Sequence, residues 1–521
     1  MQDLITDDPM NLLRMLENGT RLYKENFLTC STCEQQPWFS FFFDGTGNNL
    51  ERDEKPKKLS NIARLYWAHR DESPLIVPKY YPGVGTPLDA SNAGWWEKLR
   101  DSEALGGGAG LGWDARLSKA EGDFRDLLKY NRKVSRIDIA VFGFSRGATL
   151  ARAFVNRLLD KCTMKDGVPH WPCPTAVDGE SAPLHFRFLG IFDTVESVGL
   201  PASNLSDMQT HVPPQVERCF HIVAAHELRA CFPLTPVRGA DATYEEIVMP
   251  GVHSDVGGGY RPEEQARSDL YARIPLNKMR LEAIISGVKF HSPKQAEKAG
   301  LSELFEYDEE VKSLFDEYMR TVGAAGSLEQ QVFEHMRYYY AWLKIRFGHS
   351  PFDIYKGVSC VNPTIDAELE RIRQLHGRMT NESKTMNWRA WLTHLWHTDR
   401  DEYGRTIDGA GGEHPLNKPL DEKQLAYWNA WLNPPALSPN LLRFFDRYMH
   451  DSRAGFLDVD SSGYLRPRRI MDVPWDITPA ANPDAASEAV RRAGSSPETA
   501  LSPGWSATSM SRIGTANSIG I

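Results

Sequence analysis

The stretch IAVFGFSRGATLARAF, Ile139 to Phe154, constrains the fold more than any other part of the chain. Apolar residues alternate at Ile137, Ile139 and Val141, as in a buried strand, and RGATLARAFVNRLLD continues with a helical pattern. Between them lies Gly143-Phe144-Ser145-Arg146-Gly147. A strand that turns abruptly into a helix presents the residue at its corner, and a serine held there is poised as a nucleophile. Side chains two residues to either side would collide across the turn, which is why glycine suits positions 143 and 147. The backbone N–H of Arg146 then opens the helix and faces an oxyanion formed beside Ser145. The five-residue match is weak alone; the strand before it and the helix after it give it weight.

The surrounding chain repeats the strand–helix alternation. Residues 1–36 read as a helical lead-in. PWFSFFFDGTGNN is an apolar run from Trp38 to Phe43 that stops at a turn, and SNIARLYWAHR sets Ile62, Leu65 and Tyr66 on one helical face. VPKYYPGVGTP is the next predicted strand. LGGGAGLGW (105–113) opens an amphipathic helix running through Tyr130, and HFRFLGIFDTV (185–195) and EEIVMP (245–250) supply further strands. Strands alternating with helices predict a mostly parallel central sheet flanked by helices, with residues 37–261 as the catalytic core. From 262 to 440 helical patterns dominate, which predicts a large helical cap or accessory region. Residues 476–521, rich in Ala, Ser, Pro and Gly, read as a flexible C-terminal tail.

Charge narrows the function. With a formal net charge of −9 the chain has no field suited to nucleic acid, and none that would draw it to anionic lipid. No stretch approaches the roughly 18 consecutive apolar residues of a membrane-spanning helix, and the acidic start MQDLITDD is unlike a signal peptide. Seven scattered cysteines point to synthesis in a reducing cytoplasm. Cys30 and Cys33 form a C-x-x-C without a second pair at zinc-site spacing, so they read as free thiols.

A serine elbow calls for an acid and a base later in the chain, in the order Ser, Asp or Glu, His. Asp193 ends the predicted strand HFRFLGIFD, at the edge of the sheet where such residues are delivered. His253 follows EEIVMP in the loop PGVHSDVGGGY. His221, His226 and His450 are rivals for the base, although His221 and His226 lie in the helix-like HIVAAHELR. The Gly-Thr-Gly turn after Phe43 exposes backbone N–H groups, so Gly45 or Thr46 is the candidate second oxyanion donor. That turn is not a dehalogenase-type phosphatase motif, because Phe42 stands where the aspartate would be. HELRA (226–230) has Ala230 where a zinc-protease helix needs its second histidine. DVDSSG (458–463) imitates a calcium loop but meets Arg469 where glutamate is required. Asp255 reads as a loop cap. The expected chemistry is acyl transfer by Ser145, His253 and Asp193, with no metal or other cofactor.

Tryptophan marks the helical region. Trp388, Trp391 and Trp396 share one predicted stripe, and Trp428 and Trp431 another; MRYYYAWLKIRF is similarly aromatic. Such faces either pack as core between helices or settle on a bilayer surface.

FFFDGTGNN, GFSRGA, IFDTV, PGVHSDVGGGY and YMHDSRAGF…GYLRPRRI, in that order, resemble the first family of type VI secretion lipase effectors, bacterial α/β-hydrolases. The likeness covers residues 38–260 and returns at 441–470, which implies that 441–475 rejoins the core. It implies an antibacterial phospholipase A1 or A2 with Ser145, Asp193 and His253 as its triad. It also implies a phospholipid membrane surface as substrate, a type VI spike protein as carrier and a cognate immunity protein. The enzyme would be made in the cytoplasm and act in a rival's periplasm. His450-Asp451-Ser452 matches the family with a structural or site-lining role. A cytoplasmic carboxylesterase and a non-catalytic hydrolase-fold adaptor are the competing readings.

Overall fold

The apolar run after Pro37 forms β1 (Trp38–Phe43), buried at all six positions. Its side chains point alternately to two faces. Phe39, Phe41 and Phe43 join one hydrophobic cluster, and Trp38 and Phe42 the other. The computed structural model describes residues 8–19, 33–88, 109–196, 209–229, 232–237, 244–347, 426–427, 430, 433–452 and 468–471.

Beside β1 lie β2 (Ile76–Tyr81) and β3 (Ile137–Phe144), both parallel to it. A hairpin of β4 (Thr163–Lys165) and β5 (Val168–Pro172) precedes the long β6 (Ser181–Phe192). The first residues of β6 pair antiparallel with β5, and the remainder pairs parallel with β3. β7 (Cys219–Ala224) and β8 (Tyr244–Met249) complete a parallel path β2-β1-β3-β6-β7-β8. The fold is therefore a mostly parallel sheet flanked by helices, with a helical region beyond it.

The helices cover both faces. α1 (Pro9–Gly19) is the lead-in, and α2 (Asn61–Ala68) starts where the Ser60 hydroxyl accepts from the Ala63 N–H. α3 (Ala109–Lys129) and α4 (Arg146–Leu159) put Phe124 and Phe154 against the Phe39–Phe43 side of β1. α5 (His253–Gly257) is a single turn, followed by α6 (Arg273–Ile285), α7 (Glu309–Val322), α8 (Leu328–Phe347) and α9 (Pro439–Tyr448). Leu276 and Met279 of α6 share one continuous cluster with Phe142 and Phe188 of the sheet and with Phe315, Trp342 and Phe445 of the later helices.

One expectation needs correction, and one element goes beyond those expected. HIVAAHELR is not helical: Cys219–Ala224 is a strand, and its continuation is a turn and loop. β7 lies between β6 and β8 with all six residues buried. A parallel strand covered on both faces shows no alternation, so its spacing imitates a helix. The β4–β5 hairpin was not expected either, because its strands are short and β4 is fully exposed.

The aromatic MRYYYAWLKIRF lies in α8, where Met336, Tyr339, Tyr340, Trp342 and Leu343 are buried. Trp342 stacks 5.5 Å from Phe445 and donates its indole N–H to Asp446 at 2.8 Å, so these buried residues are core. Trp388, Trp391, Trp396, Trp428, Trp431, Cys30, residues 458–463 and residues 476–521 lie outside the described residues.

Candidate active site

Ser145 occupies the corner between β3 and α4 with φ 58° and ψ −127°. That strained conformation is costly for a residue with a Cβ and is characteristic of functional turns. Neighbouring strands hold it: the Ser145 N–H donates to the Phe192 carbonyl at 3.0 Å, and its own carbonyl accepts from Ala148 and Val195. The glycines are steric necessities. A Cβ on Gly143 would lie 2.5 Å from the Ala148 Cα, and one on Gly147 would lie 2.3 Å from the Phe43 carbonyl oxygen.

The last contact draws the turn after β1 against the N-terminus of α4. There Asp44 accepts from the Gly45 N–H at 2.7 Å, the Ser60 hydroxyl at 2.7 Å and the Tyr80 hydroxyl at 2.6 Å. Burial raises the Asp44 carboxyl to about 6, against the lowering effect of those donors. The Arg146 guanidinium donates to the Thr46 hydroxyl at 3.1 Å, tying the turn to the residue after the serine. Gly45, Thr46 and Arg146 are thus brought to one place.

Asp193 and His253 come together across 60 positions of sequence. His253 Nδ1 donates to Asp193 Oδ2 at 2.6 Å. A carboxylate can only accept, so Nδ1 carries the proton and Nε2 is left with its lone pair. Asp193 follows β6 with φ 41° and is fully buried. The ring of Phe144, the residue before Ser145, lies 4.5 Å from the His253 ring, and the Phe232 ring meets the imidazole edge-on at 5.0 Å. Among the described residues the Ser145 hydroxyl makes no hydrogen bond. Such contacts commonly tighten only when substrate binds.

The electrostatics favour a neutral histidine beside a charged aspartate. Burial pushes His253 down, and its hydrogen bond to Asp193 opposes that push. Burial would raise Asp193, but the charge of Arg468 and the bond from His253 outweigh it and hold the carboxyl well below its usual range. Glu227 lies behind His253, accepts its backbone N–H at 3.2 Å, and is held at about 2: burial raises it, and Arg229 more than compensates.

The rival histidines are engaged elsewhere. His221 donates from Nδ1 to Glu246 at 2.7 Å and accepts at Nε2 from the Thr194 N–H. His226 accepts from the Gly251 N–H at Nδ1, which leaves Nε2 to donate to Tyr318 at 3.3 Å. His450 donates from Nδ1 to Asp255 at 2.6 Å and stacks 3.9 Å from Tyr260. Asp255 also accepts the Val252 and His450 N–H groups, so it fastens the His253 loop to the end of α9. Ser452 donates to Glu227 at 3.0 Å.

Arg468, Glu227 and Asp44 carry no signal in the sequence that assigns them a role in the site. Arg468 lies in the quoted GYLRPRRI, but nothing in the spacing links it to Asp193. A groove of about 840 Å³ runs past Asn49, Tyr66, Tyr80 and Thr86 along the β2 edge; Ser145 does not line it.

Comparison with known proteins bears on the same core. Residues 39–168 and 170–282 match the family model described as type VI secretion system phospholipase effector Tle1-like, catalytic domain. Among solved structures, an uncharacterized protein from Pseudomonas aeruginosa is 20% identical with a TM-score of 0.53, over 90% of this chain and 83% of that one. The Tle1 effector bound to the VgrG spike of the type 6 secretion system is also 20% identical, with a TM-score of 0.35 over 54% of this chain and 78% of that one. Comparison with curated proteins gives no significant match.

Proposed function

From the premise that residues 39–168 and 170–282 belong to the Tle1-like phospholipase effector family, we propose that the chain is a serine phospholipase A that hydrolyses fatty-acyl esters of glycerophospholipids. The observation that carries this reading is the His253–Asp193 hydrogen bond of 2.6 Å beside a serine in a left-handed elbow. His253 Nε2 takes the proton of Ser145 as its oxygen attacks the ester carbonyl. Asp193 holds the tautomer and stabilises the imidazolium. The N–H of Arg146, with that of Thr46, receives the oxyanion, the Gly45 N–H being held by Asp44. His253 then protonates the departing lysolipid oxygen, and water, deprotonated by the same imidazole, releases the fatty acid and regenerates Ser145.

The family's assignment to the type VI system makes delivery by that route part of the proposal. A spike protein would carry the enzyme, the target periplasm would hold its substrate, and an immunity protein would protect the producer.

The deciding experiment gives purified wild type and Ser145→Ala mixed-chain phospholipid vesicles and a short soluble ester, with released acids identified by mass spectrometry. Wild type is expected to release fatty acid from the vesicles and Ser145→Ala essentially none; the chain released distinguishes A1 from A2. Cleavage of the short ester alone would replace the phospholipase with a carboxylesterase. Cleavage of neither by folded protein would favour the adaptor.

A further inference from the structure

Four hydrogen bonds converge on the Asp193 carboxylate. Oδ1 accepts from the Ala224 N–H and from Arg468 Nη2; Oδ2 accepts from His253 Nδ1 at 2.6 Å and Arg468 Nη1 at 2.8 Å. The oxygen that orients the imidazole is therefore shared with a guanidinium. Arg468 is buried and also donates to the Ala224 carbonyl at 2.7 Å. It arrives on a short strap. The Leu234 N–H donates to the Arg469 carbonyl, and the Met471 N–H to the Leu234 carbonyl, each at 2.8 Å. Leu234 is two residues from Phe232, whose ring packs on His253 and lies 3.6 Å beneath the Arg229 guanidinium.

We propose that Arg468 is a positioning residue of the acyl-transfer site: its bidentate grip fixes the plane of the Asp193 carboxylate, and its charge sets the pH at which His253 becomes protonated. This rests on the triad reading above. A fork-shaped guanidinium locks a carboxylate in two directions, which the His253 bond alone does not. Part of the Asp193 charge is also spent on Arg468, so the imidazolium draws less stabilisation from it. Among the described residues, the other charges acting on His253 are Arg229 and Glu227. They are bonded to each other through both Arg229 Nε and Nη2, so their fields on His253 oppose. Arg468 is then the cation set directly against the acid. The base stays neutral, and competent, to lower pH than a histidine facing an undiluted carboxylate.

The test is the pH dependence of kcat/KM on a soluble ester for wild type, Arg468→Gln and Arg468→Lys, with folding checked by circular dichroism at each pH. Removing the charge returns the full pull of Asp193 to His253. The acid limb of Arg468→Gln should thus move up by about one pH unit, with kcat down at least tenfold and KM little changed. Lysine keeps the charge and loses the fork, so its acid limb should stay near wild type while kcat falls. The low-field Nδ1 proton of His253, followed by NMR against pH, should shift with the acid limb and needs no turnover. If Arg468→Gln does not fold, the lysine variant decides: a fall in kcat supports the proposal and a wild-type kcat overturns it. A folded Arg468→Gln whose acid limb coincides with wild type also overturns it, leaving a structural strap. Loss of activity in Ser145→Ala alongside such a result would keep the triad and reject only the arginine's role.

Discussion

Around Ser145 the decisive contacts are between backbones, and one added methyl is enough to break them. A Cβ on Gly147 has the Phe43 and Asp44 carbonyl oxygens within 2.4 Å, neither of which can rotate away. Gly147→Ala is expected to lower kcat at least 100-fold by pushing the turn after β1 off α4, measured by steady-state assay on a soluble ester. Asp193→Asn presents the imidazole with an amide that cannot enforce the tautomer, and should cost about 10³–10⁴ in kcat. Asp44 makes a prediction about stability. Its carboxyl is raised from 3.8 unfolded to about 6 folded, so the folded state binds the proton more tightly. That contribution is fully present below pH 3.8 and is lost as pH rises through 6, about 3 kcal/mol in all. Melting temperatures of Asp44→Asn and wild type between pH 4 and 7 should show the variant losing less stability as pH rises. An equal slope would assign the pH dependence to other groups.

The elements show what was legible and what was not. β1, β3 and β6 could be read because apolar runs end at turn residues, and Ser145, Asp193 and His253 stand out as candidates because each follows such a run. β7 was unreadable as a strand, since burial on both faces removes the alternation that separates strand from helix. Arg468 and Asp255 were opaque in another way: their partners lie 275 and 195 positions distant, and no local pattern records such pairings. The helical region shows how one element secures another. Leu441, Phe444, Phe445 and Tyr448 form the buried face of α9, and Phe445 stacks on Trp342 of α8. Phe445→Ala should destabilise the protein by about 3–5 kcal/mol in urea unfolding. Because His450 follows closely on α9, the same variant should lower activity near its new midpoint sooner than a surface control such as Lys129→Ala.

At the scale of the whole molecule, net charge would govern the encounter with a membrane that the proposed phospholipase activity requires. Among the described residues no helix is long and apolar enough to cross one. The net charge of −9 repels an anionic bilayer. Hydrolysis of anionic vesicles is therefore expected to speed up when salt rises from about 20 to 200 mM, as screening weakens the repulsion, while zwitterionic vesicles respond little. A rate on anionic vesicles that falls with salt would instead reveal a basic patch on the face that meets lipid.

The order in which the site's parts leave the ribosome has a consequence for timing. Ser145, Asp193 and His253 emerge early, but the strap that carries Arg468 bridges back to Leu234 from far downstream. Parallel pairing between distant strands already makes folding slow, because long loops must close before their contacts form. The arginine adds one more closure after the sheet is built. Competence for catalysis should therefore lag behind compactness: in a refolding experiment, tryptophan fluorescence should settle before esterase activity returns.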